Sequence, residues 1–240
     1  MKILLLIAAW QRHETARITY QQLMQVETEW NNLGITLIPL VICSNSEDAA
    51  LANSFGFITY YHKNSPLGEK MNAGLKRALE FKCDYIMQLG SDDLLDANLI
   101  NFYLDPLLRK SPFFGLSSLY FYDQQGDRLK ELQLTNVIGA GRCIRRDICE
   151  FMSENFGLWY YRTEKGLDND SEARIYDFMG FEQHRVQYIK TPTPMILDIK
   201  DGENLHSFDD WGSANGEQQR MIEGGEKAGV LRRFGMNKGE

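Results

Sequence analysis

KCDYIMQLGSDDLL, residues 82–95, is the stretch from which the fold can be read. Tyr85, Ile86, Met87 and Leu89 form a short apolar run, the pattern of a strand buried on both faces. The run stops at Gly90-Ser91-Asp92-Asp93, a turn of small residues that delivers two adjacent carboxylates. In an open α/β sheet, ligands bind in the crevice at the carboxyl ends of the strands. Carboxylates placed there can hold a hard cation, which in turn holds phosphates. The same three residues could instead cap a following helix, so the surrounding chain has to decide.

Upstream, Lys2 to Ala9 is apolar at nearly every position and reads as a first buried strand. It is too short to span a bilayer, and polar QRHETAR follows without a small-residue cleavage site. Ala16, Tyr20, Leu23 and Trp30 then fall at helical spacing, predicting a helix over about Thr15 to Asn32 with Gly34 as its stop. Ile35 to Cys43 reads as a second strand, and Ser44-Asn45-Ser46 opens a short helix to about Phe55. Phe57 to Tyr61 is a third strand. After the loop from Asn64 to Gly68, a helix carries Met71, Leu75, Ala78 and Leu79. The first ninety residues therefore run β-α-β-α-β-α-β, and the SDD turn closes the fourth strand. That order predicts an α/β fold with a mostly parallel, twisted, Rossmann-like central sheet flanked by helices.

Downstream the pattern changes to a mixed and antiparallel second half. Asp96 is expected to cap a helix ending around Pro106, and Pro112 to Tyr122 to form one long strand. Asp123 to Asp127 makes a turn, with Leu129 to Leu134 as hairpin partner. Helices are expected from about Arg146 to Asn155 and Ser171 to Gly180, and strands over Arg185 to Ile189 and Met195 to Ile199. The last forty residues are polar and glycine-rich, predicting irregular chain with at most one helix.

Composition narrows the function classes. The 240 residues carry 26 basic and 33 acidic side chains, a net charge of −7, which argues against a broad nucleic-acid footprint. Cys43, Cys83, Cys143 and Cys149 show no CxxC spacing and read as buried, reduced thiols, as in the cytoplasm. No stretch is long and apolar enough to span a membrane. GxxxxGK[ST], GxGxxG after the first strand, GxSxG and HExxH are all absent.

Four short features fall at the carboxyl edge of the predicted sheet: Ala8-Ala9-Trp10-Gln11-Arg12, Cys43-Ser44-Asn45, Gly68 to Gly74, and the SDD turn. Their order resembles the nucleotide-sugar-dependent glycosyltransferases of the A fold, of the large inverting family 2 type. ILLLIAAWQRHET matches that family's opening strand and base-packing loop, and KMNAGLKRA its Asn-x-Gly. MQLGSDDLL matches the strand ending in Asp-x-Asp-Asp. LDNDSEARIYDFMG matches a later acidic element followed by Arg and Gly, here Asp168, Arg174 and Gly180. The resemblance covers roughly residues 2–180. There are two departures: Gly90 stands where the first Asp of the Asp-x-Asp would be, and Ser44 where an acidic residue usually meets the base.

The resemblance implies a nucleotide-sugar donor, most readily a UDP-sugar, contacted by Ala8, Ala9, Trp10, Arg12, Ser44, Lys70, Asn72, Gly90, Ser91, Asp92 and Asp93. It implies Mn²⁺ or Mg²⁺ on Asp92, with His206 as a late ligand and Asp201 a weaker candidate. Asp168 is the implied base, with Asp170 beside it; both could instead cap the next helix. Lys70 faces either a phosphate or solvent. Arg142, Arg145 and Arg146 meet either an anionic acceptor or water, and Leu158 to Tyr161 either stack on a sugar or pack in the core. The acceptor would be a hydroxyl of a glycan, lipid-linked sugar, protein or modified base. On this reading residues 1–95 bind the donor, 96–211 serve the acceptor, and 212–240 form a polar tail. A sugar-phosphate nucleotidyltransferase and a non-catalytic nucleotide-sugar-binding module are the alternatives.

Overall fold

The computed structural model describes residues 1–164, 167–178, 186–201, 208–210 and 218–236. The parallel core is built as the apolar pattern requires. β1 (Lys2–Ala8), β2 (Thr36–Cys43), β3 (Ile58–Tyr61) and β4 (Tyr85–Gly90) alternate with α1 (His13–Asn31), α2 (Ser46–Ser54) and α3 (Leu67–Ala78). The rest of the chain supplies β5 (Asp93–Leu95), α4 (Ile100–Leu108), β6 (Phe113–Leu116), β7 (Ser118–Asp123), β8 (Arg128–Gln133), β9 (Cys143–Arg145) and α5 (Arg146–Asn155). It ends with α6 (Leu167–Phe178), β10 (Val186–Ile189), β11 (Ile196–Lys200), β12 (Gln218–Ile222) and α7 (Gly224–Arg233).

Among the described residues there are two sheets. The larger has the order β10-β6-β9-β4-β1-β2-β3, and the smaller β12-β8-β7-β11-β5. β4-β1-β2-β3 is parallel throughout, whereas β9 runs antiparallel to both β4 and β6. Leu4 to Ile7 are fully buried because helices cover both faces of the sheet. α1 lays Tyr20, Leu23, Val26 and Trp30 on one face, and α3, α5 and α6 cover the other. The four cysteines are buried and unbridged, as expected of small apolar side chains.

Five local expectations change. The stretch from Pro112 to Tyr122 is two strands in different sheets, broken at Ser117. The Ser117 carbonyl turns away to accept from Leu134 N at 2.7 Å and Gln133 Nε2 at 3.1 Å, which ends β6 and starts β7. α4 runs two residues beyond Pro106: the proline has no amide to donate, but it sits so near the end that only one helical hydrogen bond is lost before the chain leaves the helix. Asp96 does cap, but it caps the 3-10 turn Ala97–Leu99 that leads into α4. α6 begins at Leu167, so Asp168 and Asp170 lie inside its first turn rather than ahead of it. Residues 218–236 are regular: β12 pairs antiparallel with β8, and α7 buries Val230, Leu231 and Phe234 on the smaller sheet. An apolar triplet within a polar stretch is enough to dock a short helix.

Two contacts fix the geometry that matters for the site. β5 is an edge strand, and the Gln22 side chain of α1 stands in for a neighbouring strand: its amide donates to Leu95 O and accepts from Leu95 N at 3.1 Å. α3 lies close on the sheet because Gly74 has no side chain; a Cβ there would overlap Ile42 and come within 3.1 Å of Leu6 Cδ1. Gly74→Ala is expected to lower stability by about 1–3 kcal/mol through overpacking, read as a fall in the urea midpoint. An unchanged midpoint would show that α3 is not held at that distance.

Candidate active site

The carboxyl ends of β1 and β4 open into a cleft of about 610 Å³, roofed by β7, β11 and the segment around Ile138 to Ala140. The chain leaves β1 through Gln11 and Arg12, both in the left-handed region at φ 56° and 49°. Non-glycine residues avoid that conformation unless it is held. Here it is held by Asp48 of α2, a buried carboxylate that accepts from Gln11 N at 3.0 Å and from His13 Nε2 at 2.9 Å. Asp48 is itself fixed by Asn45, whose side chain caps α2 through Asp48 N at 2.7 Å. The loop so shaped aims Arg12 across the cleft, where Nη1 donates to Asp92 Oδ2 at 2.8 Å.

Asp92 does not stand alone. In the antiparallel pair β5–β11, Asp93 lies directly opposite Asp198. Each of Asp92, Asp93 and Asp198 offers a carboxylate oxygen, and the three oxygens lie within 4.8 Å of one another. Like charges opposed on neighbouring strands repel, and two cations relieve the repulsion. Arg12 takes Asp92, while Lys200 Nζ donates to Asp198 Oδ2 at 2.6 Å and sits 4.5 Å from the centroid of the Phe121 ring. Among the described residues, Asp198 Oδ1 is buried with no hydrogen-bond partner. Three hard oxygen donors, one of them unsatisfied, suit Mg²⁺ or Mn²⁺.

The ionisation equilibria follow from this crowding. Burial opposes the charge on Asp92, yet Arg12 and Lys200 outweigh it and hold its carboxyl below the usual range. Burial, with Asp198 and Asp92 alongside, pushes Asp93 well up. Burial also raises Asp198, to about 7, against the pull of Lys200 and with the push of Asp92.

Gly90 explains the missing first aspartate. Its amide donates to Asp93 Oδ2 at 2.5 Å, and a Cβ there would overlap Asp92 Oδ1 and stand 2.9 Å from Asp93 Oδ2. A side chain at this position would have to push the carboxylate ends of Asp92 and Asp93 aside. The third carboxylate of the cluster comes from Asp198 of β11.

Of the residues the resemblance assigns to the donor, Ala8, Ala9, Trp10, Arg12, Lys70, Gly90, Asp92 and Asp93 line the cleft. Others do not. Ser91 is buried and Ser44 half-buried, both outside the lining. Asn72 is a structural clamp: its amide donates to Trp159 O at 2.6 Å and accepts from Leu158 N at 2.8 Å and Trp159 N at 3.2 Å. These bonds occupy its amide, and it lies outside the cleft lining. Asp170 accepts from Tyr160 N at 2.6 Å and joins Arg174, which donates to Phe156 O at 2.6 Å, in holding the 156–160 segment to α6. Asp168 follows Leu167, which lines the cleft; the side chain of Asp168, together with His206 and Gly180, lies outside the described residues. Asp201 accepts from Thr15 Oγ1 at 2.6 Å, away from the lining.

Lys70 is not a solvated helix lysine; it is buried in the cleft lining. It is fully buried and donates to Ala9 O at 2.5 Å and Asn64 Oδ1 at 3.1 Å, bracing the loop after β1. Burial lowers its pKa to about 8 despite Asp48 and Cys43 nearby. The arginines also resolve. Arg142 is buried and bonded to Ser171 Oγ at 2.5 Å, Arg145 pairs with Asp147, and Arg146 pairs with Glu150. Trp159 packs in the core while Tyr160 and Tyr161 are exposed. Asp198, Lys200 and Asp48 are the residues sequence reasoning missed. A carboxylate and an ammonium set among the isoleucines and leucine of ILDIK were the available signal.

No protein-family profile matches the chain, and no curated protein matches it by sequence. Solved structures do. The chain is similar to residues 1–349 of S. aureus TarS, with TM-score 0.53 and 9% identity over 83% of this chain and 60% of that one. It is also similar to glucosyl-3-phosphoglycerate synthase from Mycobacterium tuberculosis, solved with Mn²⁺ and UDP-glucose, with TM-score 0.48, 13% identity, and coverage of 99% and 80%. A CMP:2-keto-3-deoxy-manno-octonic acid synthetase complexed with CTP gives 0.47, 10%, and coverage of 84% and 90%. This chain spans about 60% of the length of the TarS fragment. The chain has the glycosyltransferase A fold, a central mostly parallel sheet flanked by helices. Among the described residues no helix is long and apolar enough to cross a membrane.

A carboxyl with a raised folded pKa contributes stability that is fully present below its unfolded value of about 3.9. For Asp198 that contribution is lost as pH rises through about 7. Asp198→Asn should therefore flatten the metal-free melting temperature between roughly pH 4 and pH 8 and raise it at the upper end. A mutant curve parallel to wild type would contradict the crowding.

Proposed function

We propose that the chain transfers a glycosyl group from a nucleoside-diphosphate sugar to a hydroxyl of an acceptor. The observation that supports this is the convergence of Asp92, Asp93 and Asp198 on one point of the cleft, with Asp198 Oδ1 buried and, among the described residues, unbonded. Mn²⁺ or Mg²⁺ held by these three carboxylates would neutralise the diphosphate as it leaves.

The protein's own groups divide the remaining work. Trp10 is exposed at the cleft and offers a flat face to the base, while Arg12 reaches from the same loop toward the diphosphate. The Ala8–Arg12 backbone is kept in place by Lys70 and Asp48, so the donor meets a preformed surface. The acceptor oxygen bonds to the anomeric carbon while the bond from that carbon to the diphosphate oxygen breaks. Its proton passes to a carboxylate on the opposite face. Asp168, one residue beyond cleft-lining Leu167 at the start of α6, is the base assigned from the family resemblance, and inversion at the anomeric carbon rests on that same resemblance.

Thermal shifts with UDP-, GDP-, dTDP- and CMP-sugars, each with and without Mn²⁺, test the reading, because a ligand that binds only the folded chain raises its stability. One donor family, with UDP the first expectation, should raise the melting temperature, and Asp92→Asn should remove the Mn²⁺-dependent part. Asp168→Asn should keep the donor shift and lower turnover at least about 100-fold. No shift with any donor would contradict the proposal. Pyrophosphate release from a nucleoside triphosphate and a sugar phosphate would replace it with nucleotidyl transfer.

A further inference from the structure

Lys200 is an unusual neighbour for a cation site. It ends β11 two residues after Asp198, so both side chains leave the same face of the strand. Its Nζ is 2.6 Å from Asp198 Oδ2 and 4.5 Å from the centroid of the Phe121 ring. The side chain is only 9% exposed, so the ammonium is held in place by a carboxylate on one side and a ring face on the other. Arg12 is the corresponding group on the other wall, 2.8 Å from Asp92 Oδ2 and 16% exposed. Two of the three carboxylates proposed to hold the metal therefore already carry a resident monovalent cation.

We propose that Lys200 and Arg12 are resident counter-ions that make capture of the divalent cation conditional on the donor's diphosphate. This rests on the function proposed above. A dication approaching the cluster alone meets two fixed positive charges and must displace them from oxygens it needs. A diphosphate arriving in the same cleft brings negative charge that both side chains can reach, freeing Asp92 Oδ2 and Asp198 Oδ2. Metal and nucleotide then strengthen each other's binding by the same factor, as linkage requires. Lys200 and Arg12 act here as positioning residues that set the size of that coupling.

The test measures Mn²⁺ binding by electron paramagnetic resonance of the free ion, corrected for the Mn²⁺–UDP complex, with and without saturating UDP. Wild type should bind Mn²⁺ at least about tenfold tighter with UDP. Lys200→Met should bind Mn²⁺ alone about tenfold tighter than wild type and show a smaller gain on adding UDP, while Lys200→Arg should restore the wild-type ratio. Arg12→Met provides a second, independent variant, expected to move in the same direction, should Lys200→Met not fold. If the folded variants bind Mn²⁺ alone no tighter than wild type, while Asp92→Asn abolishes binding, the counter-ion role is overturned and the metal site stands. If wild type binds no Mn²⁺ even with UDP, the site reading itself is overturned, and this inference with it.

Discussion

Asp93 and Asp198 face each other across an antiparallel strand pair, with Asp92 one residue away, and much of the surrounding architecture answers to that repulsion. Gly90 leaves space for it, since a Cβ there would meet the carboxylate ends of Asp92 and Asp93. Arg12 and Lys200 offset it from opposite walls. Gln22 keeps the short edge strand β5, and so Asp93, from drifting away from β11. A cluster with no role would be cheaper to replace by neutral residues; keeping it at a cost in stability is common where a site must bind a cation.

The second theme is how the two halves of the chain are joined around the cleft. Asn72 of α3 satisfies the backbone of Leu158 and Trp159, and Glu164 accepts from Leu67 N at 3.0 Å at the start of the same helix. Asp170 and Arg174 fasten the 156–160 segment to α6. The motif residues that resemble donor-binding positions are thus partly joinery. They place the wall that carries Leu167, and with it Asp168, against the loop after β1. Asp48 does the same for the opposite wall by holding two successive left-handed residues, whose conformation would otherwise cost about 1–2 kcal/mol each.

The parallel half of the fold is legible in the sequence because Lys2–Ala8 and Tyr85–Gly90 are apolar runs too short for helices, separated by segments with helical spacing. The SDD turn is legible for the same reason: it is where such a run stops. Less is legible where local pattern competes with long-range contacts. Nothing near Ser117 announces that its carbonyl will bond Leu134 and Gln133, so one apolar stretch reads as a single strand. The same holds for Asp198, over 100 residues from Asp92, whose role depends on β11 pairing with β5. Lys70 and Asn72 are legible as belonging to the site region but not in what they do, because burial turns their polar groups onto the backbone.

The most direct measurement is anomalous scattering from crystals grown with Mn²⁺ and UDP. The account predicts one strong manganese peak among the carboxylates of Asp92, Asp93 and Asp198, with the diphosphate oxygens on its open side and Arg12 turned from Asp92 to the phosphate. A manganese peak elsewhere, or nucleotide bound in the cleft with Arg12 and Lys200 still on their carboxylates and no metal between them, would contradict it.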